Sequence, residues 1–218
     1  GLVGYMSIED EGSTLSLNRV DIVFSNISGD NFVGSLVGEA NQGYIEAVRV
    51  YVYETSVSAT QEGAILVGQL DSGAFGSTLI LESSRIELSD INLDTGLGAI
   101  VVGESIESLI EIKMLRTDYN EVLSTSGTIG GLVGDLYHST LEINEYYGIF
   151  DVLNSNGNVG GLVGNSDNSN ITIYGVDARY DVTHDNNYGG LVGRLTLSSV
   201  TGYLTNLETE STTFADPD

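Results

Sequence analysis

One tripeptide recurs along this chain and limits what it can fold into. Leu-Val-Gly, or its variant Val-Val-Gly, closes at Gly4, Gly38, Gly68, Gly103, Gly134, Gly164 and Gly193, at intervals of 34, 30, 35, 31, 30 and 29 residues. A unit of about thirty residues cannot bury an apolar face alone, so the copies must stack and share a core. The uneven spacing resolves when a second block is measured. Its first apolar position is Leu15, Ile45, Leu79, Ile110, Leu141, Ile171 or Val200, seven residues after the closing glycine in five units and eleven in two. Insertions that leave the next block in phase belong in loops, here around Glu9-Asp10-Glu11-Gly12 and Asp71-Ser72-Gly73.

Inside the block the apolar residues alternate, skip a place and alternate again, as in Leu15, Leu17, Val20, Ile22 and in Ile45, Ala47, Val50, Val52. Period two marks a strand with one inward face, and the three-residue step marks a bend after which the next strand points inward again. The intervening series Ser16, Glu46, Ile80, Glu111, Glu142, Thr172 and Thr201 is mostly polar, as an outward row should be. Later units blur, with Thr117, Gly148 and Ala178 where Ile22 and Val52 stood. Adding the Leu-Val-Gly strand gives about three short strands per unit. Stacked in parallel about 4.8 Å apart, the units predict an all-β protein. The fold expected is a right-handed parallel β-helix, or β-solenoid, of about seven coils and roughly 30 Å. The repeats run approximately 1–33, 34–63, 64–98, 99–129, 130–159, 160–188 and 189–218, in a single segment. A β-propeller blade needs about forty residues, and a leucine-rich repeat needs a helical or Leu-x-x-Leu-x-Leu half that is missing.

Composition narrows the functional classes. Thirty-one acidic against seven basic residues leave a formal charge of −24, which repels nucleic acid and anionic bilayers and favours solubility, cations and basic partners. No run of eighteen apolar residues is present, so membrane insertion is not expected. Without cysteine there is no disulfide framework and no thiol chemistry. The chain opens inside its own repeat at Gly1-Leu2-Val3-Gly4, which predicts a piece of a longer protein.

The fullest copies are Ile129-Gly130-Gly131-Leu132-Val133-Gly134, Val159-Gly160-Gly161-Leu162-Val163-Gly164 and Tyr188-Gly189-Gly190-Leu191-Val192-Gly193. This pattern resembles the GLUG repeat. Units two to four depart from it with Gly34-Ser35, Ala64-Ile65 and Ala99-Ile100, and its following Asn-x-Gly survives loosely as Asn41-Gln42-Gly43. The resemblance implies an extended segment of an adhesin-like or other secreted, surface-anchored protein, and it carries over no catalytic or binding residue.

Residues suited to chemistry are few. Lys113 is the only lysine, and the arginines are Arg19, Arg49, Arg85, Arg116, Arg179 and Arg194; Arg19 and Arg49 fall at the same place in consecutive units. His138 and His184 lack metal-ligand spacing and read as isolated surface histidines. No catalytic or cofactor-binding residue is expected. Calcium is the one cofactor the sequence admits, weakly, at Glu9, Asp10 and Glu11 and at Asp181 with Asp185, Asn186 and Asn187. The sequons Asn26-Ile27-Ser28 and Asn170-Ile171-Thr172 allow glycosylation. The Leu-Val-Gly strand is apolar on both parities, with Leu36 on one face and Val37 on the other. Either face can be the inner one, and the outer one is expected to form a smooth contact stripe, with Leu36, Val37, Val133, Val163 and Val192 as its candidates. Expected partners are therefore copies of the same or neighbouring chains, met at the solenoid ends or along that stripe. The reading is a non-catalytic extracellular or cell-surface segment, a rod-like stalk, fibre or adhesin repeat region. The alternative is a carbohydrate-binding or carbohydrate-active β-helix protein, with glycans as partners. An ice-binding ladder of threonines is not present in the outward series.

Overall fold

Each strand pairs in parallel with the strand about thirty residues further along, as the repeat requires. The structure is a computed structural model that describes residues 1–7, 13–71, 76–184 and 187–214, and these residues contain no helix. Three sheets run the length of the stack. The first has seven strands, one per Leu-Val-Gly copy; the middle one has 11 and the third five. The chain is thus a β-solenoid of about six turns. Seven copies of the motif delimit six complete turns, one fewer than the coils counted from the sequence.

A complete coil is cut more finely than the three strands expected. The second coil supplies Val37–Asn41 to the first sheet, Gly43–Tyr53 and Ser56–Ala59 to the middle sheet, and Gly63–Ala64 to the third. The register holds through the first block and shifts beyond it, between Gly148 and Asp151 and between Tyr180 and Asp181. Leu15, Ile45, Leu79, Ile110, Leu141, Ile171 and Val200 form one inward column, and Ser16 through Thr201 form the outward row beside it.

The three-residue step in the block is a single residue in the left-handed region. Arg19, Arg49, Ser83, Met114 and Glu145 take φ of 60°, 57°, 52°, 58° and 63°, and Gly175 follows at 65°. One such residue reverses the pleat parity and turns the strand without breaking the ladder. A second corner uses Phe24, Glu54, Leu88 and Tyr119 in the same way. Coils five and six carry no left-handed residue there, and their strands run on unbroken as Thr140–Ser155 and Asn170–His184.

Inside the bend between the first and middle sheets stands a column of serines. The backbone N–H of Gly43 donates to Ser77 Oγ (3.0 Å), that of Ser77 to Ser108 (3.2 Å), Ser108 to Ser139 (3.1 Å), Ser139 to Ser169 (2.9 Å), and Ser169 to Ser198 (3.0 Å). Each hydroxyl also donates to a carbonyl, so a tight buried corner keeps no unpaired amide. One apolar cluster, from Met6 to Val182, fills the interior.

Candidate functional site

The Leu-Val-Gly segment is a corner, not a plain strand, and this overturns the expected outer stripe. Leu36 and Val37 both donate their amides to the Leu66 carbonyl, at 3.0 and 3.2 Å; Leu132 and Val133 converge in the same way on Leu162. Two successive amides pointing one way mean that the chain is turning there, so strand alternation fails. Both side chains face inward. Leu36, Val37, Val133 and Val163 are fully buried in the core, and Val192, in the last rung, is half-buried.

In the middle sheet the core changes character along the axis. One inward column reads Val52, Ile86, Thr117, Gly148, Ala178, and another reads Ala59, Leu93, Ser124, Ser155, His184. The blur in the later units is thus a polar interior. At its centre Asp151 is completely buried and accepts hydrogen bonds from the backbone N and Nδ2 of Asn120, both at 2.9 Å, and from Thr117 Oγ1. Thr117 also meets the Tyr146 hydroxyl (2.8 Å), which meets that of Tyr180 (3.2 Å). Burial pushes the Asp151 carboxyl up to about 6, although Thr117 and Asn120 hold it down, and burial raises both tyrosines. Neighbouring coils make room for these rings. Where units three and four bury Ile65 and Ile100, unit five has Gly131, at which a β-carbon would stand 2.9 Å from the Tyr180 ring and hydroxyl. The cluster is closed to solvent and braces the core.

Outside, the first sheet carries the row Glu39, Gln69, Glu104, Asp135, Asn165, Arg194. Gln69 donates to Glu104, and Asn165 to Asp135 at 3.0 Å, while Glu104 and Asp135 stand on adjacent rungs and repel. Burial raises Glu39 and Glu104 and pushes Asp135 up to about 6. On the outer face of the middle sheet, Asp118 takes Arg85 (3.1 Å) and Arg116 (2.6 Å), Lys113 pairs with Glu111 (2.8 Å), and Tyr174 stacks on Tyr203.

A trough of about 740 Å³, lined mostly by polar residues, lies where the middle sheet ends and the chain bends toward the third. One wall is the outward row Ser28, Ser58, Asn92, Leu123, Asn154. The other is Asp30, Thr60, Asp94, Thr125, Asn156, just past the strand ends. Gly29, Ala59, Leu93 and Ser124 form the floor between them. Both walls follow the solenoid axis, so their side chains repeat about every 4.8 Å. No lysine or arginine lines the trough. In the sequence Asn154 and Asn156 read as turn residues whose amides could stack between coils. The two rows as a whole are not legible there, because each unit contributes one residue to each wall and no unit contributes a motif. The serine column had a legible signal, a serine two places before the block at Ser77, Ser108, Ser139, Ser169 and Ser198.

The remaining candidates are not brought together. Glu9, Asp10, Glu11, Asp185 and Asn186 lie outside the described residues, and Asp181 is exposed on its strand. Among the described residues no three His, Asp or Glu side chains are placed to hold a metal ion. His138 is exposed at a left-handed corner beside Asn168. His184, expected on the surface, is instead 4% exposed and stacked on Tyr188 at the end of a core column. Arg19 and Arg49 do share one corner position, and both sequon asparagines are exposed. Comparison of the chain with models of protein families, with curated proteins and with solved structures gives no match.

Proposed function

We propose that this chain is a non-catalytic structural and interaction segment, a rod-like stalk, fibre or adhesin repeat region that spaces or displays other parts at the cell surface or in the extracellular space. The observation that carries the reading is the continuous parallel ladder: each coil pairs with the next around one core, with shifts of register at Gly148/Asp151 and Tyr180/Asp181, which suits an extended body. The resemblance of the Gly-Gly-Leu-Val-Gly copies to GLUG repeats supports it. So does the use of charged groups, since Arg85, Arg116, Lys113 and Arg179 pair with neighbouring acids. The strong negative charge keeps such a rod soluble.

Fluorophores attached at Ser16 and Thr201, the two ends of one outward row, should report a single narrow distance near 30 Å, from about 4.8 Å per rung. That distance should stay constant between low and high salt; a broad or salt-dependent distribution removes the spacer role. Incubation with acidic and neutral glycans should leave their chain lengths unchanged. Reproducible shortening that is absent from a heat-denatured control would overturn the non-catalytic reading.

A further inference from the structure

We infer that the polar trough between the Ser28–Asn154 and Asp30–Asn156 rows is a binding site for a stretch of uncharged polysaccharide. The inference goes beyond the spacer reading and holds whether or not the rod acts as a spacer.

In the serine column and around Asp151, serine, threonine and asparagine side chains satisfy one another or the backbone. In the trough Ser124 accepts from the Gly127 amide and Thr125 donates to the Asp94 carbonyl, but six other polar side chains have no such partner. The side chains of Ser28, Ser58, Thr60 and Asn92, and the carboxylates of Asp30 and Asp94, make no hydrogen bond to any described residue, and all six are exposed toward the same channel. Donors and acceptors thus face one concavity, one wall set by a strand row and the other by the bends that follow the strand ends, at a spacing fixed by the ladder. A volume of about 740 Å³ falls in the range of small-ligand sites, and the trough continues along the axis, which suits a segment of a linear chain.

Hydroxyl-rich sugars present alternating donors and acceptors along their length and match such walls without needing a charge. Acidic polymers do not match, because the walls hold two carboxylates and no cation. An extended peptide is also disfavoured. The strands Ser56–Ala59, Asp90–Leu93 and Glu121–Ser124 are paired on both sides, so no free edge is left for an added strand.

The test is affinity electrophoresis of the whole chain in gels containing a soluble β-glucan, mannan, xylan or starch, beside gels containing polygalacturonate or alginate, with a Ser/Asn-rich peptide titrated by calorimetry. At least one neutral polysaccharide should retard the protein, and neither acidic polymer nor the peptide should bind. Asn92→Ala with Asp94→Ala should weaken the retardation at least tenfold. Ser58→Gln, which narrows the trough one coil away, should do the same, and both variants should keep the parent circular dichroism because these side chains are exposed. Failure of every neutral polysaccharide to retard the protein overturns the inference. So does retardation that survives both variants, equal or stronger binding of an acidic polymer, or binding of the peptide alone.

Discussion

A β-carbon at Gly164 would stand 2.6 Å from the carbonyl oxygens of both Gly134 and Ile129, one in the preceding coil and one across the corner in the third sheet. The glycine that closes the motif is held there by close approach of backbone on two sides, and neither neighbour can retreat. Gly164→Ala should therefore lower stability by about 3 kcal/mol, while Gly190→Ala, which meets open space, should stay within about 0.5 kcal/mol; urea unfolding of the two proteins measures the difference. Asp151 is a second residue with a definite energetic signature. Its folded value near 6 lies above the ordinary 3.8, so its contribution to stability is complete below about pH 4 and is lost as pH rises through 6, a change of about 3 kcal/mol. In Asp151→Asn the uncharged side chain still faces Asn120 and Thr117. Its melting temperature should vary less between pH 4 and 7 than that of the parent, and an unchanged slope would show that the charge is relieved elsewhere.

At the scale of elements, corners organise the coil more than strands do. The first bend in the middle sheet is made by one left-handed residue in each of six coils, and in five of them that residue carries a side chain. A left-handed non-glycine residue costs roughly 1–2 kcal/mol, partly offset when glycine replaces it because glycine loses more entropy on folding. Met114→Gly, at φ 58° with its side chain mostly exposed, should therefore stabilise the protein by up to about 1 kcal/mol. The serine column behaves oppositely. Ser108→Ala leaves the buried N–H of Ser77 without an acceptor and should cost about 1–3 kcal/mol. Thermal melts of Ser108→Ala beside Ser58→Ala, where the hydroxyl is exposed, separate a lost corner bond from a general loss of serine.

For the whole molecule, charge sets the conditions under which the rod is most stable. Burial raises Glu39, Glu62 and Glu104 above the ordinary carboxyl range, Asp135 reaches about 6, and all belong to a chain with formal charge −24. Every one of these shifts has the same sign as that of Asp151. Protonation is favoured in the folded state, so stability should rise as pH falls from 7 toward 4, contrary to the usual acid denaturation of paired carboxylates. Salt should raise the melting temperature at pH 7 by screening self-repulsion, and should matter less at pH 4.5. A melting temperature that falls steadily from pH 7 to 4 would contradict this account.

The sequence by itself determined the repeat, the parallel stacking, the inward column from Leu15 to Val200 and the outward row beside it. Spacing alone settles these, because a register of thirty residues can be met in only one way once each unit must find a partner. Tertiary structure decided what spacing does not encode. Leu36 and Val37 look like the two faces of a strand until convergent amides turn both inward. Thr117, Gly148 and Asp151 look like a decaying pattern until Tyr146, from the same strand as Asp151, and Tyr180, from the next coil, make them one buried cluster. The trough depends on neighbours still more, because its walls are single side chains from five coils and become a site only when the coils stand one rung apart.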